Sequence, residues 1–182
     1  MELYVEDGVI RVPGKVLNVL DKAAIEFVGM IDFDYVIISG YVAILFGRSR
    51  TTEDIDIFID VRDRKSFSKF YKKLDAAGYY TITSEGEDMA YEMLQEGLSL
   101  RIAEKGGFVP NFEIKLPKTE QGRVALRSKI KLRLGKADIN IAKIETQIAF
   151  KLFLGSEKDY DDARHLYNVF EPHIAMQLYT QI

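Results

Sequence analysis

The chain has no cysteine and only two histidines. Disulfides, thiolate-zinc centres and thiol nucleophiles are thereby excluded, and any metal must be held by oxygen or imidazole. The histidines, His165 and His173, stand near the C-terminal end, too few and too isolated for a histidine metal centre, and are expected as helix-surface or packing residues. Long apolar runs are missing too: none approaches the roughly 20 residues that span a bilayer, and no basic segment followed by an apolar one opens the sequence. The expectation is a cytoplasmic protein with no membrane partner. Neither sign of charge is in large excess. A net charge of −3 argues against a protein that coats nucleic acid indiscriminately, although a local basic patch remains able to grip phosphates. What the chain does have is 47% hydrophobic and 29% charged residues over 182 positions with no low-complexity segment, the make-up of a globular body with one sizeable core.

Periodicity lays out the elements. Leu3 to Glu6 and Val9 to Val12 flank Asp7-Gly8, a hairpin signal. Pro13 suits the first turn of a helix whose apolar residues run Val16, Val19, Leu20, Ala23, Ala24, Phe27. Val36-Ile37-Ile38 is wholly apolar, as in a central strand covered on both faces, and Gly40 ends it. Tyr41 to Phe46 reads as a short helix stopped by Gly47. Asp63 is expected to cap a helix with a Phe67, Phe70, Tyr71, Leu74, Ala77 stripe, and Gly78 to stop it. Strands follow at Tyr79 to Thr83, Leu98 to Ala103 and Asn111 to Leu116, with a helix opened by a Ser84/Glu87 capping box between the first two. Leu126 to Leu134 alternates as a half-buried strand whose outer face carries Arg127, Lys129, Lys131 and Arg133, either a track for RNA phosphates or a charged edge strand. From Lys143 the period is helical, with Ile144, Ile148, Leu152 and Phe153 inward and Gly155 as the stop. A last helical region capped by Ser156 carries Tyr160, Ala163, Leu166, Tyr167 and Phe170 and is interrupted near Pro172. The order predicts an α+β fold, with an α/β core over residues 1–140 and a C-terminal helical subdomain over 141–182.

The most informative segment is Arg50-Thr51-Thr52-Glu53-Asp54-Ile55-Asp56-Ile57-Phe58-Ile59-Asp60. In a strand Asp54 and Asp56 share one face while the isoleucines share the other. Two adjacent carboxylates repel each other unless a cation or solvent intervenes, which makes the pair a candidate divalent-metal site. Upstream, Ser39-Gly40 opens a helix whose backbone N–H groups suit a phosphate.

Through Ser39, Gly40, Ala43, Gly47, Arg50, Thr52, Asp54 and Asp56, and again at Lys151-Leu152, Lys158-Asp159 and Asp162, the sequence resembles the nucleotidyltransferase superfamily with its polymerase-beta-like core. Within it the likeness is to the branch that includes AbiEii-toxin relatives and uncharacterised minimal nucleotidyltransferases. The resemblance implies a mixed β-sheet with flanking helices and two Mg²⁺ or Mn²⁺ ions about 3.5–4 Å apart on Asp54 and Asp56. It also implies a third carboxylate, for which Glu113 is the match, although a solvent-facing strand glutamate is the alternative. Ser39, Gly40, Arg50, Thr52 and Lys151 would serve the nucleotide; Arg50 could equally pair with Glu53 or Asp54, and Lys151 could be a solvated helix lysine. Two departures stand out: Glu where the family usually has Asp, and Ser-Gly where glycine usually comes first.

The implied activity is transfer of a nucleoside monophosphate from an NTP to a hydroxyl of RNA such as tRNA, of protein, or of a small molecule, with pyrophosphate released. A toxin–antitoxin or phage-defence role, with an antitoxin partner, belongs to the same resemblance. A catalytically silent binding module and a metal-dependent phosphohydrolase are the other readings.

Overall fold

The computed structural model describes residues 2–179, with side chains described as far as residue 174. Nine strands form one mixed sheet: β1 (Tyr4–Glu6), β2 (Val9–Arg11), β3 (Asp34–Ile38), β4 (Asp54–Asp60), β5 (Tyr79–Thr81), β6 (Leu100–Glu104), β7 (Asn111–Lys115), β8 (Ile130–Leu134) and β9 (Ala137–Ile141). Their order is β1-β2-β8-β9-β3-β4-β7-β6-β5. The pairs β2/β8, β3/β9 and β4/β7 are parallel and the others antiparallel. The helices are α1 (Val19–Val28), α2 (Gly40–Leu45), α3 (Arg64–Ala76), α4 (Gly86–Glu96), α5 (Glu120–Arg127), α6 (Ile144–Leu154) and α7 (Glu157–Tyr179).

Strand β3 is central, as its unbroken apolar run predicts. Beside it β4 alternates strictly: Ile55, Ile57 and Ile59 are fully buried, and Asp54, Asp56, Phe58 and Asp60 face the other way, half-buried. The isoleucine side packs with aromatic rings of α1, α3 and β7, including Phe27 stacked on Phe112 at 3.8 Å. Each buried isoleucine contributes about 1.5–3 kcal/mol. This packing fixes the register, since a slip of one residue would turn both aspartates into the core. On the opposite face α5 lays Ala125 and Leu126 over Val36, Ile38 and Phe58.

Several local expectations are corrected. Helix α1 starts at Val19 behind an Asn18/Asp21 capping box, because Gly14 takes a positive φ; Val16 and Val19 are exposed. Helix α4 has no side-chain cap, and the Ser84 hydroxyl is buried without a partner. The segment read as one long basic strand is the end of α5 followed by β8. Strand β8 is no edge: it lies between β2 and β9. Three of its four expected cations are paired, Arg127 with Glu120, Lys129 with Asp34 and Arg133 with Asp138. On α6, Ile144 is buried and Ile148 packs on the core as expected, but Leu152 and Phe153 are exposed and the polar Gln147 and Lys151 are buried instead. Helix α7 runs on through Pro172. His165 is a packing residue, its Nε2 3.0 Å from the Phe46 carbonyl.

Candidate active site

The last residue of β3, Ile38, pairs with Asp56, so the chain leaves the sheet at Ser39 beside the acidic end of β4. Ser39 has φ 68° and ψ −142°, a conformation that favours glycine. A serine held there carries a backbone strain that glycine would not. The Ser39 N–H donates to Gln147 Oε1 at 3.1 Å. Gly40 opens α2, where a Cβ would lie 2.8 Å from Arg50 Nη2, so the guanidinium rests directly on the turn.

Asp54 and Asp56 project side by side, and Asp54 is oriented by the Thr52 hydroxyl at 3.1 Å. Strand β7 brings Glu113 into register with Asp56. Between the last two stands Lys115, its Nζ 3.3 Å from Asp56 Oδ1 and 3.4 Å from Glu113 Oε1; Arg101 approaches Glu113 from the far side at 3.6 Å. Burial, partly offset by Lys115 and reinforced by Asp54 and Glu113, holds the Asp56 carboxyl above the usual carboxylate range.

The three carboxylates share a face, yet among the described residues no group of three acidic or histidine side chains closes on a single point. The Lys115 ammonium occupies the gap where a cation between Asp56 and Glu113 would stand. In donor chemistry the carboxylate oxygens of Asp54 and Asp56 suit a hard divalent ion. Asp54 and Asp56 are the pair that would hold it, with Lys115 displaced from Asp56; Glu113 is engaged by both Lys115 and Arg101.

Arg50 and Lys151 converge on one carboxylate that has no access to solvent. Asp162 pairs with Arg50 Nη1, with Arg48 at 3.2 Å and with Lys151 at 3.1 Å. Lys151, 3% exposed, also meets Asp159 at 2.7 Å. Neither a solvated lysine nor an Arg50 pair with Glu53 or Asp54 is found. Against desolvation, which pushes it up, the hydrogen bonds from Lys151 and Ser156 hold the Asp159 carboxyl below its usual range. Arg50 is therefore fixed over the turn by α7, and Lys151 lies behind it.

Sequence reasoning did not reach Gln147, Arg101 or Arg48. Alternation along β7 places Lys115 on the side of Glu113, but its bridge to Asp56 needs the register of β4 against β7. Gln147 had no signal beyond a polar residue at an inward helical position.

Among solved structures, the chain is similar to an antigenic nucleotidyltransferase-like protein from Paracoccidioides brasiliensis, with a TM-score of 0.52 and 19% identity over 82% of this chain and 72% of that one. It also aligns with a lincomycin-bound lincosamide antibiotic adenylyltransferase at a TM-score of 0.49 and 16% identity, covering 86% of this chain and 99% of that one. No protein-family model and no curated protein matches it. The first likeness shows the fold, a nucleotidyltransferase-like mixed sheet with flanking helices and a C-terminal helical part.

Proposed function

We propose that the protein is a divalent-metal-dependent nucleotidyltransferase that moves a nucleoside monophosphate from an NTP to a hydroxyl acceptor. The observation that carries this reading is the convergence of the Ser39–Gly40 turn, the Arg50 guanidinium and the Asp54/Asp56 pair at one end of one sheet face. In the reaction, the acceptor oxygen forms a bond to the α-phosphorus, the bond from that phosphorus to the β-phosphate oxygen breaks, pyrophosphate leaves and the hydroxyl proton passes to solvent. Positioning and charge neutralisation are most of what such a transfer asks of a protein.

Asp54 and Asp56 would hold Mg²⁺ or Mn²⁺, two ions in the arrangement that the resemblance implies; the metal supplies charge neutralisation and lowers the pKa of the acceptor hydroxyl. Thr52 keeps Asp54 turned to that task. Arg50, oriented by Asp162, presents its remaining N–H groups to the phosphates at the turn, and Lys151 acts through Asp162. Glu113 joins only on giving up Lys115. An RNA acceptor loses support, since the basic track it needed is largely consumed in ion pairs. The AbiEii-related branch, and with it a toxin role with an antitoxin partner, rests on the sequence resemblance.

A second reading, a catalytically silent nucleotide- or partner-binding module, is favoured by Lys115 standing among the carboxylates. Calorimetry of each NTP with Mg²⁺, on the native protein and on an Asp54→Asn, Asp56→Asn double variant, together with an assay for pyrophosphate release, decides between them. Binding that needs metal and disappears in the double variant supports transfer, which release of pyrophosphate rather than orthophosphate would complete. A folded native protein that binds no NTP would rule transfer out.

A further inference from the structure

A cavity of about 470 Å³ opens between α5 and α6, inside the roughly 300–1,000 Å³ range of small-molecule sites. Its floor is Ile38, Phe58 and Ala142, and Ala125 and Phe150 form its walls. Phe58 follows Asp56 by two residues on the same strand face, about 7 Å along β4. Asp54 lies the same distance the other way, toward Thr52. Asp56 therefore separates the phosphate end from the cavity end.

The decisive group is Gln147. It lines the cavity, is 1% exposed, and gives its Oε1 to the Ser39 N–H, which leaves the Nε2 amide buried without a partner. Such a donor is costly unless a ligand or water meets it. The ionisable side chains that line the cavity are Glu120 and Glu145; no lysine, arginine or histidine does so among the described residues. A triphosphate is thus disfavoured there on charge, while the apolar floor of Ile38, Phe58 and Ala142 suits an apolar body and the polar groups of Gln121, Thr146 and Gln147 stand around it.

Resting on the transferase reading, we propose that this cavity is the acceptor site and that the acceptor is a small, neutral or cationic alcohol with an apolar body, not a macromolecule. One oxygen of the acceptor takes the Gln147 Nε2 hydrogen, its apolar part lies on Phe58 and Ile38, and its reacting hydroxyl points along β4 to Asp56.

The test is a titration of the ¹⁵N-glutamine-labelled protein with aromatic and alicyclic alcohols, neutral and amine-bearing, at millimolar concentration, reading the Gln147 side-chain amide by NMR. Saturable shifts of that resonance are expected, without metal and equally in the Asp54→Asn, Asp56→Asn variant, so they survive even if the transferase reading fails. Ala149→Trp, at the exposed mouth on α6, should abolish the shifts without unfolding the protein. Gln147→Glu, which keeps the acceptor for Ser39 N–H, should weaken binding about tenfold, read on neighbouring amides. Four results would overturn the proposal: no shift with any alcohol; displacement of a bound alcohol by AMP competing for the same residues; Ala149→Trp without effect; or a second copy of the chain covering Gln147, seen as a dimer that Ala149→Trp disrupts.

Discussion

Replacing Asp162 with asparagine removes one negative charge from a carboxylate that has no solvent access and is shared by Arg48, Arg50 and Lys151. Removing one partner of a buried ion pair costs about 3–5 kcal/mol, because the charges left behind are uncompensated. Here the loss is partly cushioned. Lys151 keeps Asp159 at 2.7 Å and Arg48 keeps Asp161 at 3.1 Å, while Arg50 keeps only the Thr51 carbonyl at 3.3 Å. The expected loss is therefore near the lower bound, about 3 kcal/mol. For a chain of this size that is a fall of about 6–12 °C in Tm. Urea unfolding should show it as a lower midpoint at unchanged slope. Asp161→Asn is the matched control: Asp161 is 42% exposed and also meets Arg164 and Arg48, so its loss should be small and shrink in salt. A loss below about 1 kcal/mol for Asp162→Asn, or one that salt removes, would refute the view that this carboxylate anchors the helix to the phosphate turn.

Ser39→Gly should raise stability by about 1 kcal/mol, the relief of an unfavourable φ less the entropy that glycine adds to the unfolded chain; a destabilised variant in a denaturant melt would contradict the backbone argument. Gly40→Ala should cost about 1–3 kcal/mol, since its Cβ must push the Arg50 guanidinium off the turn, and should weaken NTP binding by calorimetry more than Ser39→Gly does. Asp56→Asn should melt higher than the native protein near neutral pH in EDTA. The native Asp56 carboxyl is raised, so the stability linked to it is full below the unfolded carboxylate pKa and is lost as pH rises through the native value. The gap should close on acidification, and a gap that does not change with pH would count against burial as the cause.

The acidic strand, its two faces and the turn before it were legible because each depends on a short-range rule, period two in β4 and glycine chemistry at residue 40. The central place of β3 followed from Val36-Ile37-Ile38 alone. Helix α5 and strand β9 were not legible. Alternation in Leu126 to Leu134 hid a helix end inside a strand pattern; Glu120 and Asp138 reach Arg127 and Arg133 only once that helix and the β8–β9 hairpin are in place, and Asp34 reaches Lys129 from β3. The site shows the same division. Asp54 and Asp56 are local, while the partners that decide what Arg50, Lys151 and Glu113 can do are set by tertiary contacts. An inward lysine on α6 looked like a polar face until Asp159 and Asp162 folded back on it.

The pairs that Asp162 makes with Arg48 and Arg50 span 114 and 112 positions. On a ribosome, Arg50 emerges long before the carboxylate that orients it, and the sheet can form around β3 and β4 while the guanidinium still has no anchor. The anchor over the turn would then arrive late in synthesis, when α7 docks, so the last helix to be made sets the first basic group laid beside the acidic strand.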